Sequence, residues 1–131
     1  MSVRGTYKGV RFRSLMELSF MLMKEREGRV VGDTLQYEII RIKYRLSPKG
    51  RERTYVVDFF DAVTLVAYEV KPRRRRNTKT NLAKARAAEE TLLAEGIEYR
   101  IVDEGSIPPL SRRDAEKIPG VVITRRRRRK S

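Results

Sequence analysis

The sequence predicts an α/β fold, a mixed β-sheet flanked by helices, with elements in the order helix, three strands, helix, strand. Three observations predict it. Residues 14–28 begin with a helix-start pattern and are apolar on most sides. Residues 55–60 and 63–70 are short runs rich in Val, Tyr and Phe, the composition of strands buried on both faces. Residues 80–95 are dominated by strong helix formers and meet Gly96, a natural stop, after which 97–102 reads as a further strand.

Taken in order, residues 1–13 are basic and contain Gly5 and Gly9, which suggests a mobile or edge segment. Ser14 is a candidate N-cap with Glu17 three residues later. Glu17 then has two readings, a capping box in which it bonds back to the Ser14 amide, or a carboxylate sent across to the sheet. The alternation of residues 35–46 predicts a strand whose phase slips after Ile40, as a bulge near Ile39 and Ile40 would cause. Ser47, Pro48, Lys49 and Gly50 form a turn, making 35–46 and 53–60 antiparallel neighbours. Pro72 ends the strand at 63–71, and the strand at 97–102 is expected to return parallel beside it. Residues 111–117 suit a short capped helix, and 121–124 are too short to assign.

Ionised groups stand where a core would reject them: Asp58 in the first apolar run, Glu69 and Lys71 at the end of the second. Glu69 and Lys71 share one face by strand alternation. A four-residue loop, 61–64, would place Asp58 opposite Ala67 and diagonal to Glu69, within reach of one shared ion. Burying an unpaired carboxylate costs several kcal/mol, so a cation is expected between the two acids. The alternative is a buried Asp58–Lys71 ion pair with Glu69 at an exposed edge.

Composition narrows the chemistry. The 131 residues suit one domain, and a hydrophobic share of 40% supports a folded chain. There is no Cys and no His, which removes the usual zinc ligands, thiol nucleophiles, disulfides and imidazole acid–base schemes. Any metal must be held by oxygen, which points to Mg²⁺ or Mn²⁺. No apolar run is long enough to span a bilayer and no signal-peptide core is present, so a cytoplasmic protein is expected, in host cytoplasm if the chain is viral. The net charge is +14, and ten basic residues fall in two runs, Arg73, Arg74, Arg75 and Arg76, then Arg125, Arg126, Arg127, Arg128, Arg129 and Lys130. Without them the remainder carries +4, so the excess is local and favours a polyanion such as nucleic acid over a membrane surface. The bland reading of the first run is a solvated charge cluster. The last seven residues are expected to be disordered without a partner.

At residues 12–17 (FRSLME), Asp58 and Glu69-Val70-Lys71 the sequence resembles the PD-(D/E)xK nuclease superfamily, the restriction-endonuclease-like fold. Within it the pattern is most similar to the phage endonuclease I family of Holliday-junction resolvases, and head-completion and TnsA-like transposon-end nucleases share much of it. The likeness spans about residues 8–103, with Val57 where the pattern usually has Pro. The resemblance implies that Asp58 and Glu69 are metal ligands, that the Val70 backbone carbonyl is a third, that Lys71 is the motif lysine and that Glu17 is the acidic residue of the first helix. It implies Mg²⁺-dependent hydrolysis of DNA phosphodiesters, with Mn²⁺ able to substitute and zinc excluded. Arg73 to Arg76 would grip phosphates beside the cut, and Arg125 to Lys130 would add sequence-independent affinity. Branched DNA and a homodimer are the expected partners, since a resolvase makes paired nicks across a symmetric junction. The expected organisation is a nuclease domain over 1–110 and a basic, partly disordered extension over 111–131. Two other functions stay open, a head-completion or DNA-end-processing nuclease of the same fold, and a non-catalytic basic protein for which the arginine runs are the whole function.

Overall fold

In the computed structural model of the chain, which describes residues 2–125, the expected hairpin is present with its loop one residue later than anticipated. β6 (Phe59–Asp61) and β7 (Val66–Val70) pair antiparallel, Phe59 opposite Tyr68 and Asp61 opposite Val66. The loop is therefore 62–65, and extending the register by one residue sets Asp58 directly opposite Glu69 instead of opposite Ala67. Parity, the property the site depends on, is unchanged.

The two longer strands anticipated at 35–46 and 53–60 are each divided. β3 (Leu35–Tyr37) pairs with β6, and β4 (Arg41–Tyr44) pairs with β5 (Arg53–Val56), all antiparallel. Between these ladders residues 38–40 face only residues 57–58, so the first strand carries one extra residue. This is the bulge foreseen near Ile39 and Ile40. Glu38 takes a positive φ of 52°, its N–H donates to the Asp58 carbonyl at 3.0 Å, and the Val57 N–H donates to the Ile40 carbonyl at 3.0 Å. The bend turns β4 and β5 away from the central sheet.

α2 (Lys79–Ala94), capped by Thr78, carries the chain across to β8 (Glu98–Val102), which pairs parallel with β7 as expected. The central sheet has the order β3-β6-β7-β8. α1 (Leu15–Arg26) covers one face, packing Leu18, Phe20 and Met21 on Phe59, Val66 and Tyr68. The other face is covered by α2 and the β4–β5 hairpin, with Ile42, Tyr55, Ala67, Ala88 and Leu92 forming a second cluster.

The ends of the chain differ from expectation. β1 (Gly5–Tyr7) and β2 (Val10–Phe12) form a hairpin, and β9 (Val121–Ile123) adds to β1 to make a three-stranded sheet over the outer side of α1. The segment read as mobile or edge is ordered, with β2 at the edge of its sheet, for two local reasons. Lys8 and Gly9 both have positive φ, 50° and 81°, as a two-residue hairpin turn requires. At Gly5 an added Cβ would lie 2.2 Å from the Val122 carbonyl and 2.7 Å from the Phe12 ring, so only glycine permits the approach of β9. α3 (Arg112–Glu116) places Ala115 in the α1 core, so residues 112–123 of the expected extension are built into the fold. Among the described residues no helix is long and apolar enough to cross a membrane.

Asp61, expected in the hairpin loop, ends β6 and is fully buried. It pairs with Lys24 Nζ at 2.8 Å and Arg29 Nε at 2.9 Å and accepts the N–H groups of Val63 and Thr64. Burial opposes its charge, but these four donors win and hold its carboxyl well below the ordinary 3.8. A group with a depressed folded pKa contributes stability that is present above its unfolded value and lost as pH falls through the folded one. Asp61→Asn leaves buried Lys24 with only the half-exposed Glu27, at 3.2 Å, as an ion-pair partner and is expected to cost about 3 kcal/mol in urea unfolding at pH 7. The loss should shrink as the wild type is acidified below pH 3.8, because the wild type then gives up the same interaction.

Candidate active site

The site is built on the last residues of β7. Glu69 and Lys71 point to the α2 side of the sheet, and the register brings Asp58 opposite Glu69. The Val70 N–H, directed at β6, donates to Asp58 Oδ2 at 2.8 Å and fixes that carboxylate at the strand edge. Glu69 is 6% exposed; its Oε2 pairs with Lys71 Nζ at 3.1 Å, while Oε1 is buried with no hydrogen-bond partner. Burial raises the Asp58 pKa well above its ordinary value, and the charges of Glu69 and then Glu17 raise it further, against the Val70 N–H. Two acids therefore share a space in which one ammonium cannot satisfy both.

Lys71 is held from a second side. Its Nζ donates to Asn81 Oδ1 at 2.7 Å, and Asn81 Nδ2 donates in turn to the Arg75 carbonyl at 2.6 Å. Asn81 lies in the first turn of α2, which Thr78 caps through the Asn81 N–H. It was not foreseen, because a polar residue in a first helical turn carries no sequence signal of what it reaches across to. Beneath Glu69 the hydroxyls of Tyr55 and Tyr99 meet at 3.0 Å; burial, reinforced by the Glu69 charge, keeps both protonated, although the bond from Tyr55 works against this at Tyr99.

Glu17 is close but differently engaged. Ser14 Oγ accepts the Glu17 N–H at 3.1 Å, as an N-cap should. The Glu17 side chain bonds back to the Arg13 N–H at 2.8 Å, one residue before the amide expected for a capping box. It is 5% exposed, and burial raises its pKa, opposed by Arg13 and reinforced by Glu38 and Glu69. Among the described residues no three acidic side chains are grouped closely enough to hold one metal ion. The structure thus brings together Asp58, Glu69 and Lys71 and leaves Glu17 beside them.

The first arginine run separates into two pairs. Residues Arg73–Arg75 form a 3₁₀ turn after Pro72. Arg76 pairs with buried Asp103 at 2.8 Å, and Arg73 reaches Asp103 at 3.5 Å while its N–H donates to Glu104. Arg74 and Arg75 are exposed and make no ion pair among the described residues. Of the second run Arg125 is exposed, and Arg126 to Lys130 lie outside the described residues.

The donor set fits a hard divalent cation. Asp58 and Glu69 supply oxygen only, one carboxylate oxygen is buried and unpartnered, and Asp58 is driven towards protonation in the absence of a compensating charge. No curated protein and no solved structure matches the chain. Residues 29–104 match the family model described as TnsA-like endonuclease N terminal, a segment that contains Asp58, Glu69, Lys71 and Asn81 and excludes Glu17. More than half of the chain lies within that match, and the protein therefore belongs to the TnsA-like endonuclease N-terminal family, of the PD-(D/E)xK nuclease type.

Proposed function

We propose that this endonuclease-family chain hydrolyses phosphodiester bonds in DNA with Mg²⁺, for which Mn²⁺ can substitute. The observation that carries the reading is Glu69 Oε1, buried and without a partner, on the residue that faces Asp58 across β6 and β7. Asp58 and Glu69 would hold the ion. The Val70 carbonyl would join them, since in an extended strand it leaves on the same side as the N–H that Asp58 already accepts. The ion supplies Lewis-acid polarisation of a phosphate oxygen and a more acidic water. Lys71 offers its ammonium to the negative charge that grows on the phosphate. Asn81 is a positioning residue, holding that ammonium between itself and Glu69. Arg74 and Arg75, uncommitted and three and four residues beyond Lys71, would bind phosphates flanking the cut. Glu17 shapes the site by its charge and anchors the turn before α1 through Arg13.

Preference for branched DNA, and the homodimer that paired nicks would require, is supported by the likeness of residues 12–17 to junction-resolving nucleases. The matched family model begins at Arg29, beyond that likeness, and favours a second reading as a DNA-end-processing nuclease. Four-way junctions, linear duplexes and single strands offered side by side discriminate the two.

Asp58→Asn and Glu69→Gln are expected to lower plasmid nicking in Mg²⁺ by about 10²-fold or more while leaving DNA affinity in Ca²⁺ intact. Mg²⁺ should raise the melting temperature of the wild type and not of either variant, a readout independent of cleavage. Wild type that cuts no DNA in Mg²⁺ or Mn²⁺ overturns the proposal. Asn81→Ala should lower kcat by roughly 10-fold with KM near the wild-type value, as expected for lost orientation. Asn81→Asp keeps the acceptor for Lys71 and should recover most of the rate, and Asn81→Ala should add nothing in a Lys71→Met background.

A further inference from the structure

The two arginine runs do not account for all the positive charge. Residues 41–53, the β4–β5 hairpin and its turn, contain Arg41, Lys43, Arg45, Lys49, Arg51 and Arg53 against one acid, Glu52, a net +5. The chain outside the two runs carries +4, so everything other than this hairpin and the runs sums to −1. Outside the two runs the hairpin is the most basic stretch, followed by residues 1–13, whose Arg4, Lys8, Arg11 and Arg13 give +4.

Its charges are also sorted by face. Ile42, Tyr44 and Tyr55 are buried against α2, at 1%, 8% and 4% exposure, so alternation puts Arg41, Lys43 and Arg45 on the open side. Opposite them on β5 stand Val56, Thr54 and Glu52. Glu52 touches only Arg45, at 3.5 Å with both side chains about half exposed, and such a pair is worth little. Lys43 donates to Thr54 Oγ1, a neutral partner. Arg41, Lys43, Lys49, Arg51 and Arg53 make no ion pair among the described residues. Uncompensated like charges two residues apart on one strand face repel, at a cost that nothing in this hairpin offsets.

The hairpin springs from the catalytic residue. β5 runs into Asp58, and the bulge at 38–40 turns the whole ladder away from the sheet. The open-face charges stand opposite residues 56 to 52, at most six residues before Asp58, a reach of up to roughly 20 Å or about six base-pair rises. We propose that the open face of the β4–β5 hairpin is a second DNA-contact surface, holding duplex phosphates about half a helical turn from the scissile bond. The inference rests on the nuclease reading for the identity of the polyanion and extends it from the cut to the flank. Arg74 and Arg75 then grip beside the site while the hairpin sets the path of the duplex.

The test compares two triple variants that remove equal charge. Arg41→Gln/Lys43→Gln/Arg45→Gln strips the open face of the hairpin, and Arg26→Gln/Arg113→Gln/Lys117→Gln removes three exposed charges elsewhere. Duplex affinity is measured in Ca²⁺ across a salt series. Each lost phosphate contact lowers the slope of log K against log salt by about 0.9, so the hairpin variant should be shallower by roughly 2–3 and at least 10-fold weaker near 0.15 M salt. The control variant should match the wild type. Should the hairpin triple not fold, Arg41→Gln and Lys43→Gln singly should each shift the slope by about 0.9. Equal changes in the two triples, no change in the hairpin variant, or wild-type binding to anionic vesicles in preference to duplex overturns this inference alone. A wild type with no affinity for DNA at any salt overturns it together with the nuclease reading.

Discussion

The register between β6 and β7 is the constraint from which the site follows. With Phe59 opposite Tyr68, the ring of Phe59 faces α1 and meets Phe20 at 5.0 Å, and the residue before it is committed to the other face. Hydrophobic packing on the α1 side therefore decides where a carboxylate stands on the α2 side. A slip of one residue would bury Asp58 under α1 and expose Phe59. The aromatic contacts of Phe59 with Phe20 and Tyr37 lock the register, and the acidic pair is its by-product.

Two carboxylates at opposite ends of this hairpin, Asp61 fully buried and Asp58 partly so, show what full and partial compensation look like. Asp61 has two cations and two amides and is driven towards the ionised form. Asp58 has one amide and two neighbouring acids and is driven towards protonation. Burial pushes both towards protonation, and only at Asp61 do the partners outweigh it. A group with every lone pair engaged is structural, whereas one held at a strand edge by a single N–H beside an unpartnered oxygen is open to a ligand.

Much of the fold was legible because its signals are local. Ser14 as a cap, the all-round apolar character of α1, the Ala- and Leu-rich α2 and the phase slip at Ile39–Ile40 each report on a few consecutive residues. The facing of Asp58 and Glu69 was legible for the same reason, since parity survives a one-residue error in the loop. What escaped depends on pairs far apart in the chain. β1 and β9 are three residues each and acquire meaning only from one another. Arg73 and Arg76 looked equivalent to Arg74 and Arg75 until Asp103 and Glu104, about thirty residues later, claimed them. Asp61 and Asp58 differ by three positions in a strand-forming run, and nothing nearby in the chain announces that Lys24 and Arg29 will reach the first and not the second.

The pairing of β9 with β1 has a consequence for biogenesis. A ribosome releases the β6–β7 hairpin and α2 well before Val121 emerges, so Asp58 and Glu69 can meet before β9 is available to pair with β1. Phe12, Ile107 and Ala115 belong to the same core cluster as Val121 and Ile123, and Phe12 lies against Gly5, beside which that late strand pairs. Of the strand pairings among the described residues this one closes the longest stretch of chain and carries the largest closure entropy, so it is expected to form last.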